Sequence, residues 1–237
     1  MIQEKGNLYL IPSPLGDVPP LTVLPLSVKV TIEKIDHYIV EHEKDARRFI
    51  KSIAPNKKQS RLHIDIINKF TETEDIPAML TPCLQGYHIG IISDAGCPGI
   101  ADPGARAVRF AHEKGIKVVP LVGPSSLLLG LMASGLNGQN FAFNGYLPIE
   151  KSERRNELKR LEKLSRDRDQ SQLFIETPYR NNQLVQSLAE TLHPETRVCI
   201  ACDLTLPSEF IRTVPAKDLN ALEEDLHKRP TLFIIQG

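Results

Sequence analysis

Residues 91–104, which read IISDAGCPGIADPG, combine types that hold small polar molecules. An apolar run ends at Ser93, and Asp94, Ala95 and Gly96 follow before Pro98. Residues with little side chain let the backbone approach a ligand closely, and Asp94 adds a carboxylate. The spacing therefore predicts a ligand-binding loop after a buried strand. A plain turn, in which Asp94 only shapes the chain, is the alternative.

Two more loops of this kind follow apolar runs, at residues 12–17 (PSPLGD) and 123–126 (GPSS). If the runs are parallel neighbouring strands, all these loops open on the same edge of one sheet. Together they would line a cleft with backbone amides, hydroxyls and a carboxylate. Such a cleft suits a small molecule with a ribose or an amino-acid part. Ser125 and Ser126 fit helix capping equally well.

The elements that must position these loops alternate between strand and helix. Asp102 before Pro103 is expected to cap the helix that follows the 91–104 loop. Pro82 is expected to break the helix in which it lies. The alternation indicates an α/β fold, a mostly parallel sheet with helices on both faces. Strands are expected at 7–11, 37–40, 61–67, 89–92 and 117–122, and helices at 43–53, 77–85, 106–114 and 127–133.

The composition changes near residues 146–152, where an apolar region gives way to the charged segment SERRNELKRLEKLSRDRD. We therefore predict two α/β domains, 1–146 with the ligand loops and 147–237 with a smaller mixed sheet. In the second domain, helices are expected at the charged segment, 182–192 and 217–226, and strands at 172–176, 197–202, 209–213 and 231–236.

The composition excludes several classes of protein. Of the 237 residues, 29 are Lys or Arg and 29 are Asp or Glu, so the net charge gives no sign of a nucleic-acid partner. It does not exclude RNA, because a protein with a neutral total can still have a local basic face. The four cysteines are too few for a disulfide framework, and the single CxxC, Cys199 and Cys202, lacks the second pair of a zinc site, so no metal is expected. P-loop, dinucleotide, HExxH and GxSxG motifs are missing from the sequence. Without a signal core or a bilayer-spanning segment, a cytoplasmic protein with no membrane partner is expected.

Several motifs in this order resemble the tetrapyrrole methylase superfamily: LYLIPSPLGD, SDAGCPGIADPG, PLVGPSS with ASGL, FNGYLP and ETPYR. Within it, the chain is most similar to the branch that methylates a ribose 2′-hydroxyl of small-subunit ribosomal RNA. The resemblance implies a class III methyltransferase dependent on S-adenosylmethionine. It also implies two α/β domains with the cofactor between them, and a homodimer.

The resemblance also assigns site residues. Glu41 and Arg47 are the candidates for catalysis or acceptor binding, and a surface ion pair is the alternative for either. The cofactor contacts carry over to Pro12, Ser93, Asp94, Ala95, Gly96, Pro98, Ser125, Ser126, Glu176, Pro230 and Thr231.

Two segments depart from the family pattern on the side expected to face the methyl acceptor. Residues 40–44 read VEHEK where the ribosomal RNA enzymes read close to AEDTR, so His42 takes the aspartate position. Residues 68–71 read NKFT in place of a stretch rich in His and Asn. The cofactor half of the site is thus kept while the acceptor half is altered.

These observations leave three hypotheses. The first is methylation of small-subunit ribosomal RNA, with phosphate contacts from the charged helix. The second is methylation of a tetrapyrrole or another small molecule, with Lys44, Arg106 or Arg180 binding its carboxylates. The third is a cofactor-binding protein without catalysis. The cations of the charged helix are Arg154, Arg155, Lys159, Arg160 and Lys163.

Overall fold

The computed structural model describes residues 4–237 and divides in sequence between Ser125 and Ser126 into two units. Each unit has its own five-stranded sheet. Composition placed the division after Tyr146, which is 21 residues later than the structural division after Ser125. The reason is non-local. The strand Phe141–Tyr146 pairs with the strand Ser171–Ile175, and the helix Ser126–Ser134 packs on the strand Thr231–Gln236, so both elements belong to the second unit.

The first unit is a parallel α/β layer structure. Its sheet order is β3-β2-β4-β1-β5, and every pair of neighbouring strands is parallel. The elements are β1 Leu8–Ile11, α1 Leu26–Lys34, β2 His37–Val40, α2 Glu43–Ile53, β3 His63–Ile66, α3 Ile76–Met79, α4 Thr81–Leu84, β4 Ile89–Ile92, α5 Ala105–Glu113 and β5 Val118–Pro120.

Helices cover both faces of this sheet, as the alternation predicted. Tyr38 and Val40 of β2 pack into the core that α1 and α2 form, whereas Ile39 packs into the core of α3, α4 and α5. Successive strand residues point to opposite faces, so one short strand supplies both cores. The single proton of the buried Tyr38 hydroxyl is shared between the carbonyls of Ile32 (3.0 Å) and Ile35 (2.8 Å), which satisfies this polar group.

The strand order creates a switch point between β1 and β4. The chain passes from β1 over β4 to reach β2, and later from β4 over β1 to reach β5. The loops after β1 and β4 therefore leave the sheet in opposite directions. A crevice at the carboxyl ends of the strands is the usual ligand site of such a sheet.

Some local predictions need correction. Helix α1 was not predicted, because its sequence LSVKVTIEK is rich in β-branched residues; burial of Val28 and Ile32 on one face stabilises it as a helix. The expected break near Pro82 is confirmed, since α3 ends at Met79 and α4 begins at Thr81. Asp102 does not cap α5 directly; its Oδ1 accepts from the amides of Gly99 (2.8 Å) and Gly104 (2.7 Å) in the preceding turn.

The second unit has a mixed sheet, as predicted, and its strand order is β6-β7-β10-β8-β9. Strands β6 and β7 are parallel and the other pairs are antiparallel. The elements are α6 Ser126–Ser134, β6 Phe141–Tyr146, α7 Lys151–Arg168, β7 Ser171–Ile175, α8 Asn181–Thr191, β8 Arg197–Cys202, β9 Phe210–Pro215 and β10 Thr231–Gln236.

The helix predicted at residues 217–226 is wrong. The chain forms only a short 3₁₀ helix, Ala216–Ala221. Beyond it, side chains from elsewhere in the unit bind the backbone: Asn181 Nδ2 donates to the carbonyl of Leu226 (3.3 Å) and Arg229 Nη1 to that of Asp225 (2.9 Å). These carbonyls are thereby satisfied outside a helix. Among residues 4–237, no helix is both long and apolar enough to cross a membrane.

Candidate functional site

The loops after β1 and β4 are joined backbone to backbone. Ser13 and Gly96 form an antiparallel bridge, in which the Ser13 amide donates to the Gly96 carbonyl (3.0 Å) and the Gly96 amide to the Ser13 carbonyl (3.2 Å). The buried Ser13 hydroxyl donates to the carbonyl of Ser93 (2.8 Å). The prediction that these loops open on one edge of the sheet is confirmed.

The loop after β5 packs on the same two loops. Gly123 lies against the ring of Pro12, so closely that a Cβ atom at residue 123 would be 2.2 Å from Pro12 Cγ. The thiol of Cys97 lies 3.3 Å from the carbonyl oxygen of Pro124. Gly96 has a φ of 76°, a conformation that side chains disfavour, and this lets the chain turn between its neighbours. The edge is therefore a single, mutually supported group of loops.

An acidic cluster with one histidine lies at this edge, where β2 and β4 end side by side. The Nδ1 of His42 donates to Oδ2 of Asp94 at 2.6 Å. The Asp94 amide donates to Oε1 of Glu41 at 3.3 Å, and Asp102 is a further hydrogen-bonding neighbour of Glu41. Residues 41, 42, 94 and 102 are thus one interacting group.

The cluster changes the protonation of Glu41. Burial, with the negative charges of Asp102 and Asp94, raises the pKa of the Glu41 carboxyl above its ordinary value and outweighs the opposing effect of the Asp94 amide. A raised carboxyl pKa lowers the stability of the folded state as the pH rises from the ordinary pKa to the raised one, because folding then requires a charge in an unfavourable place.

Glu41→Gln is expected to stabilise the first unit at about pH 8 and to have little effect at about pH 4, because both states are then largely protonated at this position. The glutamine keeps an acceptor for the Asp94 amide and offers a donor to Asp102. The measurement is the melting temperature of both proteins across this pH range. A lower melting temperature of the variant at high pH would contradict the explanation.

Arg47 and Arg106 bind backbone and neighbouring side chains. Arg47 Nε donates to Oε1 of Glu43 (2.7 Å) one turn earlier in α2, and its Nη1 donates to the carbonyl of Gln59 (3.0 Å). Arg106 donates to the carbonyls of Asn68 (2.6 Å) and Thr71 (2.7 Å), so it holds the 68–71 segment in place. The catalytic roles of Glu41 and Arg47 stay predictions.

In the second unit, the predicted residues Glu176, Pro230 and Thr231 meet where β7 and β10 pair. Leu232 is opposite Ile175 in the antiparallel register, which places Thr231 beside Glu176. The buried Glu176 carboxylate accepts from the Thr177 amide and from Arg180 Nη2, both at 2.6 Å. The Asn181 side chain holds this turn, since its Nδ2 donates to Thr231 Oγ1 (3.1 Å) and to the Arg229 carbonyl (2.7 Å).

Comparison with known proteins identifies the family. A family model described as Tetrapyrrole (Corrin/Porphyrin) Methylases matches residues 7–220. The chain belongs to this family. The methylase is 30% identical over 230 residues to a Vibrio cholerae protein named Ribosomal RNA small subunit methyltransferase I, covering 96% of this chain and 76% of the relative. A protein of the same name from Escherichia coli O157:H7 is 30% identical over 237 residues, or 99% of this chain and 79% of the relative.

Solved structures share the fold of this methylase. The methyltransferase CobJ superposes with a TM-score of 0.63 at 17% identity, over 98% of this chain and 94% of that chain. Uroporphyrin-III C-methyl transferase from Thermus thermophilus, in complex with S-adenyl homocysteine, gives 0.59 at 16% identity, over 98% of this chain and 97% of that chain. At these identities the likeness concerns the fold.

The methylase is a methyltransferase dependent on S-adenosylmethionine. The loops of its first unit fit that cofactor chemically. The partly exposed Asp94 carboxylate can accept a hydrogen bond from a hydroxyl or ammonium group, and the half-buried Ser125 can supply a hydroxyl. Val122, which is 75% exposed, offers an apolar surface to the adenine of the cofactor. The assignment of individual residues to the cofactor stays a prediction.

His42 is the member of the cluster to which sequence reasoning gave no role. The signal in the sequence was the departure of residues 40–44 from the motif that they resemble, in which His42 takes the aspartate position. Its partner Asp94 is 52 residues away in sequence, so only the pairing of β2 with β4 brings the two side chains together.

Proposed function

We propose that this chain methylates small-subunit ribosomal RNA at a ribose 2′-hydroxyl. The observation that carries the proposal is similarity along almost the whole chain to proteins named Ribosomal RNA small subunit methyltransferase I, at 30% identity over 96% and 99% of this chain. The 2′-hydroxyl follows from the motifs that resemble that branch of the family.

A stripe of cations on α7 supports an RNA substrate. We call Arg155, Lys159, Lys163 and Arg166 the α7 stripe. They are four, four and three positions apart, so they share one face of the helix, and all are exposed. Within residues 4–237, none of them lies in an ion pair with a carboxylate. Unpaired cations in a row on a helix suit the phosphates of RNA.

Two cations that the sequence placed with this helix have other partners. Arg154 is buried, and it donates to Ser187 Oγ (3.2 Å) and to the carbonyl of Ile149 (2.9 Å). Arg160 forms a two-point ion pair with Glu157, with its closer contact at 2.6 Å. The RNA-binding set is therefore the α7 stripe rather than the whole helix.

The roles of this chain's residues are binding and positioning. S-adenosylmethionine supplies a methyl group activated on a sulfonium, so the protein needs neither a nucleophile nor a metal for the transfer itself. The loops after β1, β4 and β5 would hold the cofactor at the edge of the first sheet. The acceptor hydroxyl must be aligned with the methyl group, and its proton must leave.

The test is transfer of labelled methyl from S-adenosylmethionine to small ribosomal subunits from cells that lack this protein. Label is expected on the RNA, on a ribose that becomes resistant to alkaline cleavage at its 3′ side. Parallel reactions contain tetrapyrroles or no acceptor. Absence of label on RNA, with the cofactor bound, would overturn the proposal, and label on a tetrapyrrole would establish the alternative.

Changing all four residues of the α7 stripe to glutamine is expected to weaken RNA binding and to flatten its salt dependence. Each phosphate contact contributes about 0.7–0.9 to the slope of log K against log salt, so the loss of up to four contacts lowers it by about 3. The measurement is RNA affinity at several salt concentrations. A matched control removes the same charge from exposed cations of the first unit: Lys51, Arg109, Lys114 and Lys117. Equal slopes for the two variants would argue against the stripe.

The homodimer and the cytoplasmic location stay predictions. Sedimentation equilibrium of the purified chain tests the first of them.

A further inference from the structure

We infer that His42 is the general base that takes the proton from the acceptor hydroxyl, and that Asp94 orients it. The inference rests on the proposed function, since it requires a hydroxyl acceptor. It adds a catalytic residue that the motif resemblance did not assign.

The geometry is that of an oriented imidazole. His42 Nδ1 donates to Asp94 Oδ2 at 2.6 Å, while its side chain is 68% exposed. The bond to the carboxylate fixes the proton on Nδ1, so the lone pair of the neutral ring lies on Nε2. A base needs this combination, with one nitrogen held by the protein and the other free to receive a proton.

The position of His42 in the fold suits the same role. It is the second residue after β2, at the carboxyl end of a strand, and β4 with its Asp94 loop is the neighbouring strand. This is the edge at which open α/β sheets bind their ligands. Asp94 thereby connects the base to the loop that is predicted to hold the cofactor.

The charges around His42 increase its basicity. The hydrogen bond and the negative charge of Asp94 raise the pKa of the His42 imidazole, and the charges of Glu41 and Asp45 add to this effect; the slight burial of the ring opposes it. Glu41 follows β2, Asp45 lies on α2, and Asp94 follows β4, so the acidic groups come from each element around the ring. A stronger base accepts a proton more readily from an alcohol.

The other two candidates for the base, Glu41 and Arg47, are occupied. Glu41 accepts the Asp94 amide and shares hydrogen bonding with Asp102, so we regard it as a positioning residue. Arg47 is bonded to Glu43 and to the Gln59 carbonyl, and it is a poor base in any case.

The step balances without another reactant. The O–H bond of the ribose hydroxyl breaks and its proton goes to Nε2 of His42. The oxygen electron pair forms the new bond to the methyl carbon, and the bond from that carbon to sulfur breaks with its electron pair left on sulfur. The products are the methyl ether and S-adenosylhomocysteine, and the imidazolium then releases its proton to water.

The test uses His42→Asn, because the asparagine amide nitrogen takes roughly the place of Nδ1 and can still donate to Asp94, while nothing replaces Nε2. The single-turnover rate on small ribosomal subunits is expected to fall by about 10²–10⁴-fold. Affinity for S-adenosylhomocysteine, measured by calorimetry, is expected to stay within about threefold, since the rest of the loop is unchanged. His112→Asn, at an exposed histidine of α5, is the matched control and is expected to keep the wild-type rate.

Three further readouts separate a base from a merely structural residue. The rate of the wild type should rise with pH through the pKa of His42, and His42→Asn should lose that rise. NMR titration of the His42 ring, in the protein without cofactor, should give a lower pKa in Asp94→Asn than in the wild type. In His42→Gly, added imidazole is expected to restore part of the rate.

The outcomes are distinguishable. If the wild type puts no label on RNA, the proposed function fails and the inference fails with it. If the wild type labels RNA but His42→Asn matches its rate and pH profile, the inference alone is overturned. An Asp94→Asn substitution that leaves the His42 titration unmoved would overturn the orienting role of Asp94.

Discussion

Replacement of Arg229 by leucine is expected to lower the free energy of unfolding of the second unit by about 3 kcal/mol, because it leaves a buried carboxylate unpaired. Arg229 Nε donates to Oδ2 of Asp203 at 2.7 Å, and the Asp203 side chain is only 7% exposed. The same guanidinium also contacts Glu224 and donates to the Ser208 carbonyl at 2.6 Å. One substitution therefore removes several partners at once.

The loss should extend to the predicted cofactor turn. Residue 229 directly precedes Pro230 and Thr231, and its carbonyl accepts from the buried Asn181. The free energy of unfolding is measured by urea denaturation, followed by far-ultraviolet circular dichroism. Arg155→Leu, at an exposed position of α7, is the control with the same change of side chain.

A second variant tests the cause. Because the unpaired charge of Asp203 is held responsible, Asp203→Asn in the Arg229→Leu background should recover part of the lost stability. If the double variant is less stable than Arg229→Leu, the loss comes from packing and not from the buried charge.

Gly123→Ala is expected to weaken cofactor binding at least about tenfold and to destabilise the first unit by about 1–3 kcal/mol. The new Cβ atom would lie 2.2 Å from Cγ and 2.3 Å from Cβ of Pro12. A proline ring cannot rotate out of the way, so the loops after β1 and β5 must move apart. The Ser13–Gly96 bridge begins one residue after Pro12, and we expect the movement to reach it.

Calorimetric titration with S-adenosylhomocysteine and thermal unfolding measure the two effects. Gly138→Ala is the matched control, since a Cβ atom there meets nothing within 4 Å. Wild-type affinity in Gly123→Ala would show that the contact between these loops does not shape the cofactor site.

Much of the secondary structure could be predicted from the sequence. Elements with a strong local pattern agree with the structure to the residue: β2, α2, β8 and β10. The prediction failed where the deciding interactions come from elsewhere in the chain. Helix α1 is stabilised by packing on the sheet, and β6 by parallel pairing with β7. In residues 217–226, side chains donate hydrogen bonds to backbone carbonyls that a helix would otherwise use.

The candidate site divides in the same way. The loops 12–17, 91–104 and 123–126 were predicted from residue type, because glycine, proline and small polar residues after an apolar run have a local meaning. The arginines were not predictable: a sequence cannot show that Arg106 is committed to two carbonyls or that Arg154 is buried. The partners of these arginines depend on which backbone carbonyls the fold places within hydrogen-bond distance of each guanidinium.

The sequence by itself determined the family, the α/β class and the loops that are predicted to hold the cofactor, because short motifs and local periodicity specify all three. The tertiary structure decided which of the acidic and basic residues act together. Neighbouring strands lie about 4.8 Å apart, so pairing β2 with β4 places His42 against Asp94 across 52 residues of sequence. Glu41 is half-buried whereas the adjacent His42 is exposed, a difference that no motif records.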